Sequence, residues 1–99
     1  MKIDSIFQKT GDMRFISHLD LMRLFQRALR RAGLPVAISQ GFNPRSKISI
    51  KRALKLGVES MDEALTVHLS RRIAPAAFIE LFNKNLPEGI KITKSEEIG

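Results

Sequence analysis

The sequence predicts an α+β domain of the ferredoxin-like α/β sandwich class, in which two helices cover one face of an antiparallel sheet. Several short segments alternate apolar with polar residues between turn-forming residues, and two separate segments show helical periodicity. Alternation is typical of strands with one buried face, so both helices are expected on the same side of the sheet. The predicted order is β-α-β-β-β-α-β, which amounts to two β-α-β halves with an expanded central hairpin.

The first half begins with a predicted strand at 2–9 and continues into a helix at 18–32. Ser17 and Asp20 have the S-x-x-D spacing of a capping box, in which each side chain binds a free backbone N–H of the first turn. Gly33 supplies a left-handed residue that ends the helix. These signals make the first helix the best-defined element of the chain.

The first helix has an apolar face and an arginine face when it is drawn with 3.6 residues per turn. The apolar positions are Leu21, Met22, Phe25, Ala28, Leu29 and Ala32. The arginines are Arg23, Arg27, Arg30 and Arg31. We therefore expect the helix to pack on the sheet with its arginines directed away from the core.

The rest of the chain continues the same alternation of strands and helices. The predicted strands are 36–39, 47–51, 61–69 and 90–94, with a second helix at 75–85. The last residues, SEEIG, are interpreted as a frayed end or as a cut within a longer chain. We interpret residues 1–99 as a single domain, because a chain of this length forms one core.

The composition limits the kinds of partner and the cellular location that we expect for this protein. The net charge is +7, and residues 1–60 hold 12 of the 17 Lys and Arg but only four of the 10 Asp and Glu. Such one-sided charge favours a polyanionic partner such as RNA. There is no cysteine, no apolar run long enough to span a membrane and no signal-peptide pattern, so we predict a cytoplasmic protein that does not bind membranes.

Two strings within residues 10–60, TGDMRFISHLDLMRLFQRALRRAGLPVAISQGFNP and LGVES, are long enough to be specific. They resemble the radical SAM-linked protein family, a bacterial domain family whose own role is undefined. Its members occur beside or fused to radical SAM proteins that carry a cobalamin-binding region. The resemblance implies an accessory role near such an enzyme, and it implies that the chain is the N-terminal part of a longer architecture.

The chain departs from the family pattern in two places. Arg45-Ser46 stands where the family tends to carry His-Pro, and a basic segment at 51–55 stands where the family is usually apolar and rich in proline. This chain therefore has no histidine at that place to perform a role that depends on it. Radical SAM chemistry itself is excluded, because the cluster needs three closely spaced cysteines.

The arginine face is the main candidate site. A face that serves only solubility usually mixes charges, whereas this one has Asp20 as its single possible intrahelical partner. The arginine fork suits phosphate, and the sites we predict for anion or nucleic-acid contact are Arg23, Arg27, Arg30, Arg31, Arg45 and Lys47. A merely solvated face is the alternative.

The loop at 40–46 and the start of the first helix are a second candidate. Phe42 has two interpretations: it stacks a base, or it turns inward as a hydrophobic plug, which we favour slightly. His18 is expected to be partly buried, with Arg14 bordering the same region. Together with Asn43 these residues make a weaker small-ligand site. Metal binding by His18, Asp20 and His68 is not predicted, because their expected positions diverge.

Neither the outward face of the sheet nor a known catalytic motif indicates a further functional site. The outward strand positions are small or polar, so base stacking on the sheet, as in RNA-recognition motifs, is not expected. No nucleophile elbow or phosphate-binding glycine motif occurs. We predict a non-catalytic accessory domain without cofactors that binds RNA or another polyanion. The alternatives are docking on a radical SAM protein or, more weakly, an enzyme or ligand site around His18, Asn43 and Arg45.

Overall fold

The computed structural model describes residues 1–52 and 54–98. It contains strands β1 (Lys2–Lys9), β2 (Ile48–Ile50), β3 (Ser60–His68) and β4 (Ile90–Ile98), and helices α1 (His18–Arg31) and α2 (Pro75–Asn83). A short 3₁₀ helix, Gly11–Phe15, joins β1 to α1. The strand order is β2-β3-β1-β4 and every pairing is antiparallel. This is the predicted ferredoxin-like α/β sandwich.

Both helices cover the same face of the sheet, because they contribute to one apolar core. In β1 every second residue from Ile3 to Lys9 is buried, and in β3 the same period buries Leu65 and Val67. The helices bury four aromatic or aliphatic anchors against them: Leu21, Phe25, Phe78 and Phe82. The residues buried at every second strand position thus pack against the residues buried at helical spacing, and together they form one apolar layer.

The predicted strand at 36–39 is wrong. Val36 pairs with Leu69 and Ile38 pairs with Ser46, and these are isolated bridges. A ladder does not form because the segment changes partner between these two residues. The central hairpin is therefore irregular, and β2 is only three residues long.

The predicted fraying of the C-terminal residues is also wrong for residues 95–98. β4 extends to Ile98, which pairs with Lys2, so the strand follows the whole length of β1. A bulge at Thr93 interrupts the register between Ile6 and Phe7. Gly99 of the predicted frayed end and Ala53 of the basic segment lie outside the described residues.

Candidate nucleic-acid interface

Helix α1 begins and ends where the local signals predict. The Ser17 Oγ accepts a hydrogen bond from the backbone N–H of Asp20 at 3.1 Å, and Gly33 adopts a φ of +70° after the last turn. The reciprocal half of the capping box does not form. The Asp20 carboxylate instead lies 3.7 Å from Arg23 Nη1, with both side chains 62% exposed.

The arginine face of α1 is exposed to solvent, as predicted. Arg23, Arg27, Arg30 and Arg31 all lie on the surface. Among residues 1–52 and 54–98, only Arg23 of these four has a carboxylate within ion-pair distance. Three guanidinium groups are therefore available to an external anion without first breaking an ion pair.

The irregular hairpin places Phe42 at the tip of a closed loop. Its base is held by two hydrogen bonds, from Ser39 N–H to the Arg45 carbonyl at 2.8 Å and from Arg45 N–H to Ser39 Oγ at 3.0 Å. Phe42 is fully exposed, at 105% relative accessibility, and Asn43 beside it is also exposed. The expectation that Phe42 turns inward as a plug is therefore wrong, because the short closed loop holds it away from the core.

A groove runs between α1 and this hairpin, and we call it the basic groove. It brings together Arg23, Arg30 and Arg45 around a cavity of about 520 Å³. The apolar part of its lining includes Leu19 and Ile38, which are 59% and 54% exposed. The remaining residues of the groove are Met22, Gln26, Pro44, Ser46 and Ile48. It therefore combines three cations with an apolar floor.

The structure does not bring all six predicted contact residues together. Arg27 and Arg31 line a different depression, of about 440 Å³, against the turn that follows α2. Lys47 lies at a third place, a depression beside His68 and Lys2. The basic surface is thus divided, because Arg23 and Arg30, seven residues apart, lie on the flank of α1 that faces the hairpin, whereas Arg27 and Arg31, four residues apart, lie on the flank that faces the α2 turn.

Arg14 makes its contacts with residues outside the Phe42 loop. Its guanidinium stacks on Phe15 at 4.3 Å and donates to the Gly11 carbonyl at 2.8 Å, while its own carbonyl accepts from Gly57 N–H at 2.6 Å. These contacts attach it to the segment before β3. The prediction that Arg14 borders the same region as Phe42 and Asn43 finds no support in them.

His18 is exposed at the first residue of α1, so its predicted partial burial is wrong. Leu19 and Asp20, which follow it, are exposed as well, and the buried face of the helix begins at Leu21. The predicted ligand site around His18, Asn43 and Arg45 therefore has no buried element. Within the part of the chain that the structure describes, no three His, Cys, Asp or Glu residues are grouped as metal ligands.

His68 is half-buried on the open face of the sheet. Burial lowers its pKa from the ordinary 6.5, and the nearby positive charges of Lys2, Lys47 and the terminal amino group lower it further. No phenylalanine lies on this open face, since four of the six are in the core, Phe15 ends the 3₁₀ helix and Phe42 is in a loop. The open face therefore presents no phenylalanine, tyrosine or tryptophan on which a base could stack.

A polar cluster at one end of the sheet was not predicted. Lys9 and Glu63 are buried, at 1% and 4% exposure, on the face that the helices cover elsewhere. Lys9 Nζ donates to the carbonyl oxygens of Arg14 and Lys55, at 3.2 and 3.1 Å. The sequence did contain a signal for this cluster. Lys9 lies two residues after Phe7 and Glu63 lies two residues before Leu65, so the period of two that buries these apolar residues directs Lys9 and Glu63 inward as well.

The Glu63 carboxylate is held by three donors. Arg52 donates from Nε at 2.8 Å and from Nη2 at 3.3 Å, and the Ser60 hydroxyl donates at 2.7 Å. Burial would raise the pKa of Glu63. The hydrogen bonds from Arg52 and Ser60, with the charges of Arg52 and Lys9, outweigh it and hold the pKa below the ordinary 4.5. The group is therefore an ionised, fixed carboxylate at neutral pH.

A comparison with known protein families identifies the family of this chain. A family model described as an uncharacterized protein conserved in bacteria (DUF2344) matches residues 2–99. The chain belongs to this family. A search of the curated proteins finds no match. Among the described residues, no helix is both long and apolar enough to cross a membrane.

Proposed function

We propose that this member of the bacterial family is a non-catalytic binding domain that holds RNA on its basic groove. The observation that carries the proposal is the set of arginines without ion pairs beside that groove. Arg30 and Arg45 line it, and neither has a carboxylate within ion-pair distance in residues 1–52 and 54–98. Guanidinium groups in this state bind phosphate oxygens without losing an internal partner.

The apolar features of the groove favour single-stranded RNA over a duplex. Leu19 and Ile38 provide an exposed apolar floor, and Phe42 presents a free aromatic ring at the tip of the adjoining loop. Single-stranded nucleic acids are bound by cations that follow the backbone and by rings on which bases stack. In the proposed complex Arg23, Arg30 and Arg45 contact phosphates while a base stacks on Phe42.

We further propose that the domain serves as an accessory to a radical SAM enzyme. The support is the resemblance of residues 10–60 to the radical SAM-linked family. The absence of cysteine excludes the cluster chemistry from these 99 residues, so another domain or a separate protein would have to supply it. In this arrangement the domain contributes binding and the partner contributes catalysis.

Salt-dependent binding of a short single-stranded RNA tests the RNA proposal. Arg30→Glu combined with Arg45→Glu should weaken binding strongly and reduce the slope of log affinity against log salt by about 1.4, since each lost contact removes about 0.7. Lys91→Glu combined with Lys94→Glu is the matched control, because it changes the net charge equally at exposed positions on β4. Thermal melting verifies that both variants fold.

Two results would contradict the RNA proposal. One is the absence of binding even at low salt, and the other is an equal loss of affinity in the β4 control. A further pair, Arg27→Glu with Arg31→Glu, shows whether the depression beside α2 takes part. If only this second pair weakens binding, the RNA lies against α2 and the basic groove is the wrong site.

A second candidate function is docking on an acidic surface of the radical SAM protein. The exposed apolar floor formed by Leu19 and Ile38 favours it, because protein interfaces bury apolar centres inside a polar rim. The measurement is co-purification with the radical SAM protein from the same host after nuclease treatment. Docking predicts a complex that survives nuclease and is lost in the Arg30→Glu, Arg45→Glu variant.

A further inference from the structure

We propose that the cavity above Lys9 and Glu63 is a binding site for a small carboxylate with a short apolar body. The cavity has a volume of about 420 Å³ and lies between the start of β3 and the segment that precedes it. It is separate from the basic groove and shares no lining residue with it. The proposal is therefore independent of RNA binding.

The charge of Lys9 motivates the proposal. Its side chain is buried, yet no carboxylate oxygen of the described residues lies within 4.0 Å of Nζ. Two backbone carbonyls occupy two of its three N–H donors, which leaves one donor. Buried charges are normally paired, because hydrogen bonds to neutral groups compensate only part of the lost hydration.

The nearby carboxylates are already engaged. Glu63 is bound by Arg52 and Ser60, and the Glu59 carboxylate accepts the backbone N–H of Gly11 at 2.8 Å. The lining contains three cations, Lys9, Arg52 and Lys55, against these two anions. Counted over the lining residues alone, one additional negative charge from a ligand would balance these three cations.

The walls of the cavity indicate the size and polarity of the remainder of the ligand, beyond its carboxylate. Leu54 and Val58 supply apolar surface beside the polar floor, and the volume falls in the range of small-molecule sites. The Arg52 side chain is 70% exposed while its partner Glu63 is 5% exposed, so the Arg52 guanidinium is the accessible end of this ion pair. In the proposed complex the ligand carboxylate contacts the remaining donors of Arg52 and the ammonium of Lys9, both of which line the cavity.

Isobutyrate is a suitable probe, and isobutyramide is the matched neutral control of the same shape. In amide NMR spectra of the full chain, isobutyrate should cause saturable shifts at Lys9, Ser60 and Glu63, whereas isobutyramide should cause none. Lys9→Met removes the charge with little change of length and should weaken isobutyrate binding roughly tenfold or more. Lys91→Met on β4 should leave the affinity unchanged.

The wild-type comparison keeps the proposal falsifiable if Lys9→Met does not fold. Equal shifts with isobutyrate and isobutyramide would overturn it, because the positive charge would then play no part. Shifts confined to α1 would also overturn it, since they would show general anion binding by surface arginines. Inorganic phosphate serves as a third probe, and tighter binding of phosphate than of isobutyrate at these residues would refute the carboxylate assignment.

Discussion

At the scale of single residues, the ionised groups of this domain divide into two kinds. Arg30 and Arg45 are exposed and have no ion-pair partner among the described residues. Their charges therefore cost the fold little stability and are free to bind an anion. Glu63 is buried and bound by three hydrogen-bond donors, so its charge is part of the folded structure. We propose the first kind as contacts for a binding partner, whereas removing a partner of the second kind would leave a buried charge uncompensated and destabilise the fold.

The lowered pKa of Glu63 makes its contribution depend on pH. The folded value lies below the ordinary 4.5 of the unfolded chain, so ionised Glu63 stabilises the fold fully above about 4.5. This contribution is lost as the pH falls from there through the lowered folded pKa. Urea unfolding of wild type and Glu63→Gln should show a difference that is largest near neutral pH and shrinks on acidification. A constant difference would contradict the assignment.

At the scale of elements, close packing between turns decides which positions accept substitution. Gly89, just before β4, has a φ of +98°, and a Cβ built there would lie 2.6 Å from the Thr10 carbonyl oxygen. The same backbone pair is hydrogen-bonded, with Thr10 N–H donating to the Gly89 carbonyl at 2.8 Å. Gly33 also has a positive φ, of +70°, but apart from its two chain neighbours no heavy atom of the described residues lies within 4 Å of its Cβ position.

We therefore expect Gly89→Ala to destabilise the protein more than Gly33→Ala. Gly33→Ala should cost about 1–2 kcal/mol, which is the cost of a left-handed non-glycine residue. Gly89→Ala should cost more, because backbone strain on the order of 1–3 kcal/mol is joined by a clash with a backbone oxygen. Denaturant unfolding of both variants measures the difference. Equal losses would show that the turn before β4 relaxes without cost.

The hairpin shows why one element was mispredicted. Residues 36–39 alternate correctly and are still not a strand, since Val36 and Ile38 find different partners. Side-chain alternation reports which residues face inward, whereas a strand also needs a continuous neighbour with free backbone groups. β4 shows the converse. Its last residues alternate poorly, but the ladder with β1 carries the strand to Ile98.

At the scale of the whole molecule, a chain of aromatic contacts joins both helices to the sheet. Phe7 and Phe25 meet edge to face at 5.1 Å between ring centroids, Phe25 meets Phe82 at 5.6 Å, and Phe82 meets Phe78 at 5.4 Å. Phe25 is therefore the ring that connects β1 with α2. Such contacts add to the free energy of burying the rings.

Phe25→Ala should lower the stability of the protein, whereas Phe42→Ala should lower its affinity for RNA. Phe25→Ala opens a cavity in the core and should lower the free energy of unfolding by about 3–5 kcal/mol. Phe42 is fully exposed, so Phe42→Ala should change stability by less than about 0.5 kcal/mol. It should still weaken single-stranded RNA binding, since a stacked base contributes on the order of 1–3 kcal/mol. Unfolding and RNA titration of the two variants check this, and a large loss of stability in Phe42→Ala would contradict it.

The sequence by itself determined the fold class, both helices, the core anchors such as Phe25 and Phe78, and the exposed arginine face of α1. These follow from local rules of capping and periodicity that act within one element. Only the tertiary structure decided that Arg30 and Arg45 share a groove while Arg27 lies in another depression. It also decided that Lys9 and Glu63, both on inward positions of their strands, line the same cavity. The physical reason is that these relations depend on which distant segments pair, and a pattern within one element does not carry that information.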